Sequence, residues 1–454
     1  MASIISNGLK SKLNFFIIFI LISVLVLSGF QCTRQNRGKP IDIVVWNLWD
    51  DAASWKDMIA SYEALIAADE TKTPVKIVYY KKVLSGNENY ENEFNNALSQ
   101  GNGPDIIALN NSWMPRYKNK ISPLDEGAKT AQTYQRKFVD VVSYDFLEGN
   151  NIYAVPLSMD TLALYYNVDI LNAAGIFDPP RTWDEFNTAV KKLTMRDANG
   201  NIKRAGAAIG TDKNINRSSD ILSLLMLQSG SSIVDDVQKK ATFTDLVEGS
   251  STREDEKRSI GGTAIQFYTD FANPAKTVYT WDPLMDYSID AFYQMNAAMM
   301  INYAYTVPTV RSKAPKLKFA VSSMPQITGV TVPVNYANYW AMAVSAGSTH
   351  KAEAWDFLMY ITNPEIAKTY LAKTAKPAAQ RDLVSWQENG EDLNLAVFAR
   401  QSLTAKSWYQ KDNFAIETIF NDAINSVVLN RSTAENASEL AASQLDQIMK
   451  EKIK

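Results

Sequence analysis

One cysteine, Cys32, and one histidine, His350, are all that this chain has of the residue types most used for metal binding and nucleophilic catalysis. A zinc cluster therefore lacks its ligands. Ser–His–Asp or Cys–His chemistry would have to run through His350. That residue follows Ser348 and Thr349 in SAGSTHKAEAW, where a helix is expected to start and an exposed first-turn role is expected for it. No GxxxxGKS/T phosphate loop occurs, and no GxGxxG follows a strand. No block of Lys and Arg offers a phosphate-backbone footprint, and the net charge is −3, so nucleic acid is not an expected partner. No metal and no cofactor are expected. Glycoside hydrolysis needs only two carboxylates and survives these absences.

A long apolar run is also missing. The longest, Phe15–Phe30 (FFIIFILISVLVLSGF), has sixteen uncharged residues, whereas a comfortable bilayer span takes about 20. It follows Lys10 and Lys12 and ends just before Cys32, which suits a signal-peptide core. A single cysteine cannot close an internal disulfide. The arrangement resembles a bacterial lipoprotein signal, which implies that Cys32 is lipidated and becomes the mature N-terminus. Gly29, Phe30 and Gln31 stand before it, where such signals usually place a small residue next to the cysteine. The alternative is an uncleaved anchor helix with an incidental thiol. Both readings put residues 33 onward outside the cytoplasmic membrane.

What the chain does have is apolar mass and aromatic rings. Apolar residues make up 46% of the chain, so a substantial core is available and global disorder is excluded. About 420 residues follow Cys32, enough for two or three domains of ~100–200 residues each. Ten Trp and 21 Tyr point toward a binding role, because such rings offer flat apolar area and keep a polar handle.

Strand and helix signals alternate at first. Ile41–Trp46 reads as a strand, Ala52–Ala68 as a helix, and Val75–Tyr80 as a strand. Tyr90–Gln100 reads as a helix stopped by Gly101, and Asp105–Leu109 as a third strand. That order predicts βαβ units and a parallel sheet, with ligands gathering beyond the strand carboxyl ends, at Trp46–Asp50 and Asn110–Trp113. Tyr153–Pro156 and Thr161–Asn167 then read as strands and Val168–Ala174 as a short helix. Thr182 and Glu185 form a capping-box pattern, and Asn199-Gly200 marks a hairpin. Further strands are expected at Gly206–Gly210, Ala297–Asn302, Lys318–Val321 and Trp340–Val344. Helices are expected at Asp220–Gln228, Ile265–Ala272, Ala415–Leu429 and Ala434–Lys450. Ser250–Ser259 is a charge run read as a solvated loop. Trp183 and Trp355 fall in helical patterns and read as packing residues.

Several motifs follow one another in a consistent order: WNLWD, GNGPDIIALNNSW, ISPLDE, YAVPLSMDTLALYYNVDILNAAGIFDPPRTWDEF, NAAMMINYAY and AMAVSAGSTHKAEAWDFLMYIT. In these motifs the chain resembles the extracellular solute-binding proteins of ABC importers, solute-binding protein family 1, the group that includes maltodextrin-binding proteins. Asn296 and Tyr303 stand where that family commonly has glycine, and Ser232–Arg258 is too unusual for assignment by analogy. The resemblance implies an α/β, two-lobed periplasmic-binding-protein fold of type II, cluster D-like, with a ligand cleft at the hinge. It implies crossings near Ser158, Tyr339 and Asp392. Lobe one would be 41–158 plus 340–392, and lobe two 159–339 plus 393–454, after a signal segment 1–32 and a tether 33–40. It further implies a monomer that binds a carbohydrate, delivers it to ABC permease subunits, and is held at the outer face of the cytoplasmic membrane by lipid on Cys32.

A sugar offers hydroxyls that donate and accept, and ring faces that are apolar, so its site needs carboxylates, amides and aromatic faces. Asp160 falls where the family commonly places an acidic ligand, and Tyr305 where it often has a stacking ring. Trp46, Asn47 and Trp49 follow the first strand; Asn111 and Trp113 follow the third. Trp281 with Asp282, Asn335, Tyr336 and Tyr339, and Trp408 with Tyr409 complete the candidates. Each has a packing alternative; for Asp160 it is a hinge carboxylate capping nearby backbone. Rival ligands in the same fold are a glycerol-phosphate diester, a polyol or a peptide. A phosphate would call for cleft cations, of which Arg116 and Arg311 are the candidates. A sensory or adhesive role without transport is a third class. A secreted glycosidase is the remote enzyme reading, with Asp160 and Asp282 as its carboxylates.

Overall fold

The computed structural model describes residues 39–83, 89–235, 237–247 and 258–450. Cys32, the apolar N-terminal run and most of the Ser250–Ser259 charge run lie outside them. The chain divides into a small unit, Met1–Asp42 with Glu63–Lys76, and a large one, Ile43–Tyr62 with Ile77–Lys454. In the small unit, the Ile41 N–H donates to the Pro74 carbonyl at 2.9 Å. The candidate site residues within the described span all belong to the large unit. Among the described residues no helix is long and apolar enough to cross a membrane.

The main strands are β1 (Ile41–Asn47), β2 (Val75–Lys81), β3 (Ile106–Asn110), β4 (Ala163–Asn167), β5 (Met299–Asn302), β6 (Phe319–Ser322) and β7 (Trp340–Val344). A first sheet has the order β7-β3-β1-β2 and a second the order β6-β4-β5. Every residue of β3 is buried, which is why IIALN has no polar alternation: a strand covered on both faces reads as a continuous apolar run. β1 runs parallel to β3, as the βαβ pattern predicts, with Val45 opposite Ile106. β7 is antiparallel to β3, with Trp340 opposite Asn110 and Val344 opposite Ile106. The second sheet is antiparallel throughout. The expectation of a parallel sheet holds for β1 with β3, and β2 meets β1 in the same ascending order, Pro74 with Ile41 and Lys82 with Asn47. β7 and the second sheet depart from it, their pairings being set by contacts distant in sequence.

The second sheet is packed by helices. These include α1 (Trp183–Leu193), α2 (Ser218–Gln228), α3 (Ile260–Asp270), α4 (Asn413–Val428) and α5 (Ala434–Lys450). Thr182 and Glu185 close the expected capping box on α1, satisfying backbone donors that would otherwise be left without partners. Ile221, Leu224, Ile265, Phe420, Ile424 and Leu445 lie in one core with Trp183 and Trp281. Gly261 and Gly262 start α3 where α5 crosses it: a Cβ there would overlap Ser438 Oγ and the Glu435 carboxylate. The two glycines thus admit the close helix approach, despite the helix-forming cost of about 1 kcal/mol each.

The chain crosses between the two sheets in short irregular segments. Val155 bridges Met342, Ser158 bridges Ala378, and Thr161 bridges Ala337. The expected strand Tyr153–Pro156 exists only as such a bridge, since Pro156 has no N–H to extend a ladder. Gly206–Gly210 likewise gives only the bridge Ala208–Met300, with a second, Ala205–Ala297, just before it. Gly206 is pressed against α1, where a Cβ would sit 2.5 Å from the Val190 carbonyl oxygen. The Asn199-Gly200 hairpin forms, with Gly200 at φ 85° between two short antiparallel strands. The helix expected after Thr349 forms as Lys351–Ile361, but His350 stands at its N-cap and is half-buried, in place of the exposed first-turn position expected for it.

Candidate functional site

The carboxyl ends of β1 and β3 carry an aromatic ladder. Trp49, just past β1, is half-exposed at 50% and meets Trp340 edge-on, with centroids 5.6 Å apart. Trp340 in turn meets Trp113 edge-on at 4.9 Å, and Trp113 stacks on Tyr117 and Tyr90. The ladder runs from an open ring to a buried core, so Trp49 is rigidly backed. Edge-to-face pairs of this kind contribute about 0.5–1.5 kcal/mol each beyond burial. Trp113 is the buried end of the ladder and supports the wall without forming its surface. Trp46 and Asn47 are also buried. Lys82 places its ammonium 3.8 Å from the Trp46 ring centre, and the Asn47 side chain accepts the Leu48 N–H. Asp50 is held by Tyr370, Trp55 and Lys376. Burial raises its carboxyl, but the Lys376 charge and these donors outweigh that and leave it below the ordinary value.

A second group sits where the chain crosses. Tyr339 donates its hydroxyl to Asp145 at 2.6 Å, and Asn111 donates its amide to the same carboxylate at 3.2 Å. Ser407 donates to the other oxygen. Burial pushes the Asp145 carboxyl up to about 6 although all three donors pull it down. Asn111 and Tyr339 are thus turned inward and hold the crossing together. Beside them, Asn110 donates to Asn338 at 3.0 Å, and Asn338 donates to Asp220 at 3.4 Å.

The third group belongs to the second sheet and its helices. Asp160 Oδ1 accepts N–H groups of Thr161 and Ala304, and its Oδ2 accepts that of Tyr305 at 3.2 Å. Asp160 therefore pins the turn after β5, which is the backbone-capping alternative. Burial pushes it up to about 7, against these bonds and the nearby Lys376 charge. Tyr305, the next ring after that turn, is 56% exposed and stacks on Tyr303 at 6.0 Å. Tyr303 donates to Asp220 at 2.7 Å, and Arg217 meets the same oxygen at 3.2 Å. Arg217 adopts φ 63°, a left-handed conformation that a side chain of this size rarely takes and that collects at functional positions.

The remaining candidates lie elsewhere. Trp281 is completely buried in the second core, and Asp282 caps the Leu284 N–H. Trp408 is buried against Phe420. Asn335 holds Thr404 and Tyr336 accepts from Gln410, both buried. Tyr409 is half-buried beneath the Lys239 ammonium. Burial moves Trp281, Trp408, Asn335 and Tyr336 from a binding surface into the packing. Trp183 and Trp355 are buried in helices as expected. Sequence reasoning missed Trp340, Asn338, Asn216, Arg217 and Asp220. The aromatic WNLWD and the W of YWAMAV were the readable part of that signal.

Two sheets joined by crossing segments, with half-open aromatic faces at both ends of a polar chain, define a binding protein of the hinged, two-lobed class. The description "Bacterial extracellular solute-binding protein" covers residues 52–368, more than half of the chain, and the chain belongs to that family. A probable ABC transporter-binding protein of Deinococcus radiodurans is 25% identical over 66% of this chain and 70% of its own length. A maltotriose-binding protein of Pyrococcus abyssi is 23% identical over 65% of this chain and 57% of its own. The solved structure of a cyclic alpha-maltosyl-1,6-maltose binding protein from Arthrobacter globiformis superposes with a TM-score of 0.72 at 16% identity. It covers 90% of this chain and 99% of that one.

Proposed function

We propose that this protein is the extracytoplasmic binding component of an ABC importer and takes a carbohydrate, an oligosaccharide in the first instance, for delivery to permease subunits. The observation that carries this reading is the pairing of two exposed ring faces, Trp49 backed by Trp340 and Tyr305 backed by Tyr303. They stand at opposite ends of the chain Asn110–Asn338–Asp220–Tyr303. Aromatic faces with amides and carboxylates between them match the two chemistries of a sugar. Binding and release need no catalytic step.

The phosphate alternative is weaker. Arg116 is paired with Glu91 and Arg311 with Asp392, so neither candidate cation is available to an anionic ligand. The proposed lobes are 41–158 plus 340–392 and 159–339 plus 393–454, acting as a monomer, with Cys32 as the lipid attachment. A thermal-shift screen of mono-, di- and oligosaccharides tests the ligand class, because a ligand of the native state alone raises stability by RT ln(1 + [L]/Kd). No shift with any sugar at millimolar concentration overturns it.

A further inference from the structure

Asn216 has every hydrogen-bonding group occupied. Its amide nitrogen donates to Asn302 Oδ1 at 3.1 Å and to the Tyr305 hydroxyl at 2.8 Å, and its oxygen accepts from the Tyr287 hydroxyl at 2.8 Å. The orientation is fixed, because Asn302 Oδ1 already accepts the Tyr303 N–H and must therefore face a donor. The two exposed tyrosines are left with opposite vacancies. Tyr305 accepts from Asn216 and keeps its proton to give; Tyr287 gives its proton and keeps lone pairs to accept. Asn216 is a positioning residue for both.

Helix α4 adds a carboxylate. Asn425 bonds Asp212, and Asn421, one turn earlier, accepts from Ser218. Glu417 is the next residue in that i, i+4 row and lies on the same helix face, one turn before Asn421. It is half-buried and makes no hydrogen bond or ion pair among the described residues. Its charge acts on Arg217 and Tyr287, and Tyr287 also feels Arg217 and Tyr305, so the four groups share one small region. Its carboxylate oxygens are not closed off from solvent, so a ligand hydroxyl can reach them. Phe414, 52% exposed, lies in the first turn of the same helix.

We propose that Glu417, together with the Tyr287 and Tyr305 hydroxyls set by Asn216, is the hydroxyl-reading wall of lobe two, and that it selects an uncharged sugar over an acidic one. A sugar hydroxyl donates to Glu417 while a neighbouring one accepts from Tyr305, and Tyr287 accepts a third. Arg217, the guanidinium of this wall, is already engaged by Asp220, and Glu417 adds a second carboxylate beside it. A uronate would therefore meet net repulsion. This assignment rests on the carbohydrate reading.

The test is thermal shift and calorimetry on the full chain with maltotriose, mannobiose, tagatose and galacturonate as probes. At least one uncharged probe is expected to raise the melting temperature of the parent, and galacturonate is expected not to. Glu417→Ala should weaken that uncharged probe about tenfold to a hundredfold. Tyr287→Phe, which keeps the ring, should weaken it several-fold, and an unliganded melting temperature near the parent's shows that the fold is intact. If Glu417→Ala does not fold, Glu417→Gln and Tyr287→Phe carry the test. Parent-like affinity in the folded variants, or preference for galacturonate, overturns the assignment while leaving carbohydrate binding standing. Silence from every uncharged probe overturns the carbohydrate reading and the assignment with it.

Discussion

Asn110 and Asn338 lie 228 residues apart in sequence, yet the amide of the first donates to the side-chain oxygen of the second at 3.0 Å. Asn110 ends β3, and Asn338 belongs to the crossing segment just before β7. Because Asn338 also donates to Asp220 on α2, one side chain holds groups from both sheets' surroundings. Asn338→Ala should cost about 1 kcal/mol of stability and loosen the unliganded hinge. Small-angle scattering is expected to give a larger radius of gyration for the variant than for the parent. Identical profiles would show that Asn338 does not restrain the lobes.

Trp49 is half-exposed while Trp340 is part of β7. Trp49→Ala should therefore leave the urea midpoint nearly unchanged and weaken sugar binding about tenfold, the value of roughly 1.4 kcal/mol of ring contact. Trp340→Ala should do both kinds of damage, lowering the midpoint as well. Equal destabilisation by the two substitutions would place Trp49 in the packing instead.

Asp145 supplies a pH signature. Its carboxyl is pushed from 3.8 up to about 6 in the folded protein, chiefly by burial. Between those values the folded state keeps a proton that the unfolded state has released, so stability falls as pH rises through that window. In Asp145→Asn this contribution is absent. The advantage of the parent over the variant should shrink from pH 4 to pH 6 and stay level above 7, measured by urea denaturation. Parallel curves across the whole range would remove the assignment.

Gly206 has no room for a side chain. A Cβ would lie 2.5 Å from the Val190 carbonyl oxygen and 2.9 Å from Val190 Cα, both backbone atoms that cannot swing aside. Gly206→Ala should cost about 1–3 kcal/mol by overpacking, read as a lower melting temperature, whereas Gly200→Ser in the hairpin should cost less. A silent Gly206→Ala would mean that α1 shifts freely.

Membrane attachment is a separate expectation. Mass spectrometry of the mature N-terminus should find two acyl chains on Cys32, since one chain alone binds membranes only marginally. An intact leader with a free thiol would sink the lipoprotein reading in favour of an anchor helix.

The sequence was most legible where the signal is local. Trp340–Val344 and Ala434–Lys450 have the bounds their patterns predict, and the Thr182–Glu185 box is formed as written. Pairing was not legible: nothing within β4 or β6 says that they run antiparallel, because their partners are chosen by distant contacts. Aromatics alone could not be sorted either. Trp49 and Trp46 are three residues apart in one motif, but one is open and the other lies under Lys82. Asn216 and Arg217 were missed because they sit in a polar turn with no periodic signal, and Asp220 because it read as an ordinary first-turn residue of α2. Glu417, Asn421 and Asn425 did leave a trace, a polar row every four residues beside the apolar face of the helix.

The late arrival of β7 has a consequence for how the protein is made. β3 is the buried centre of the first sheet, and the strand that closes one of its sides is Trp340–Val344. During synthesis the first sheet therefore waits, with β3 unpaired on that side, until most of the chain has emerged. Pairings so distant in sequence form slowly. Until then β3 presents an unpaired apolar edge, the kind of surface on which unfinished chains pair with one another.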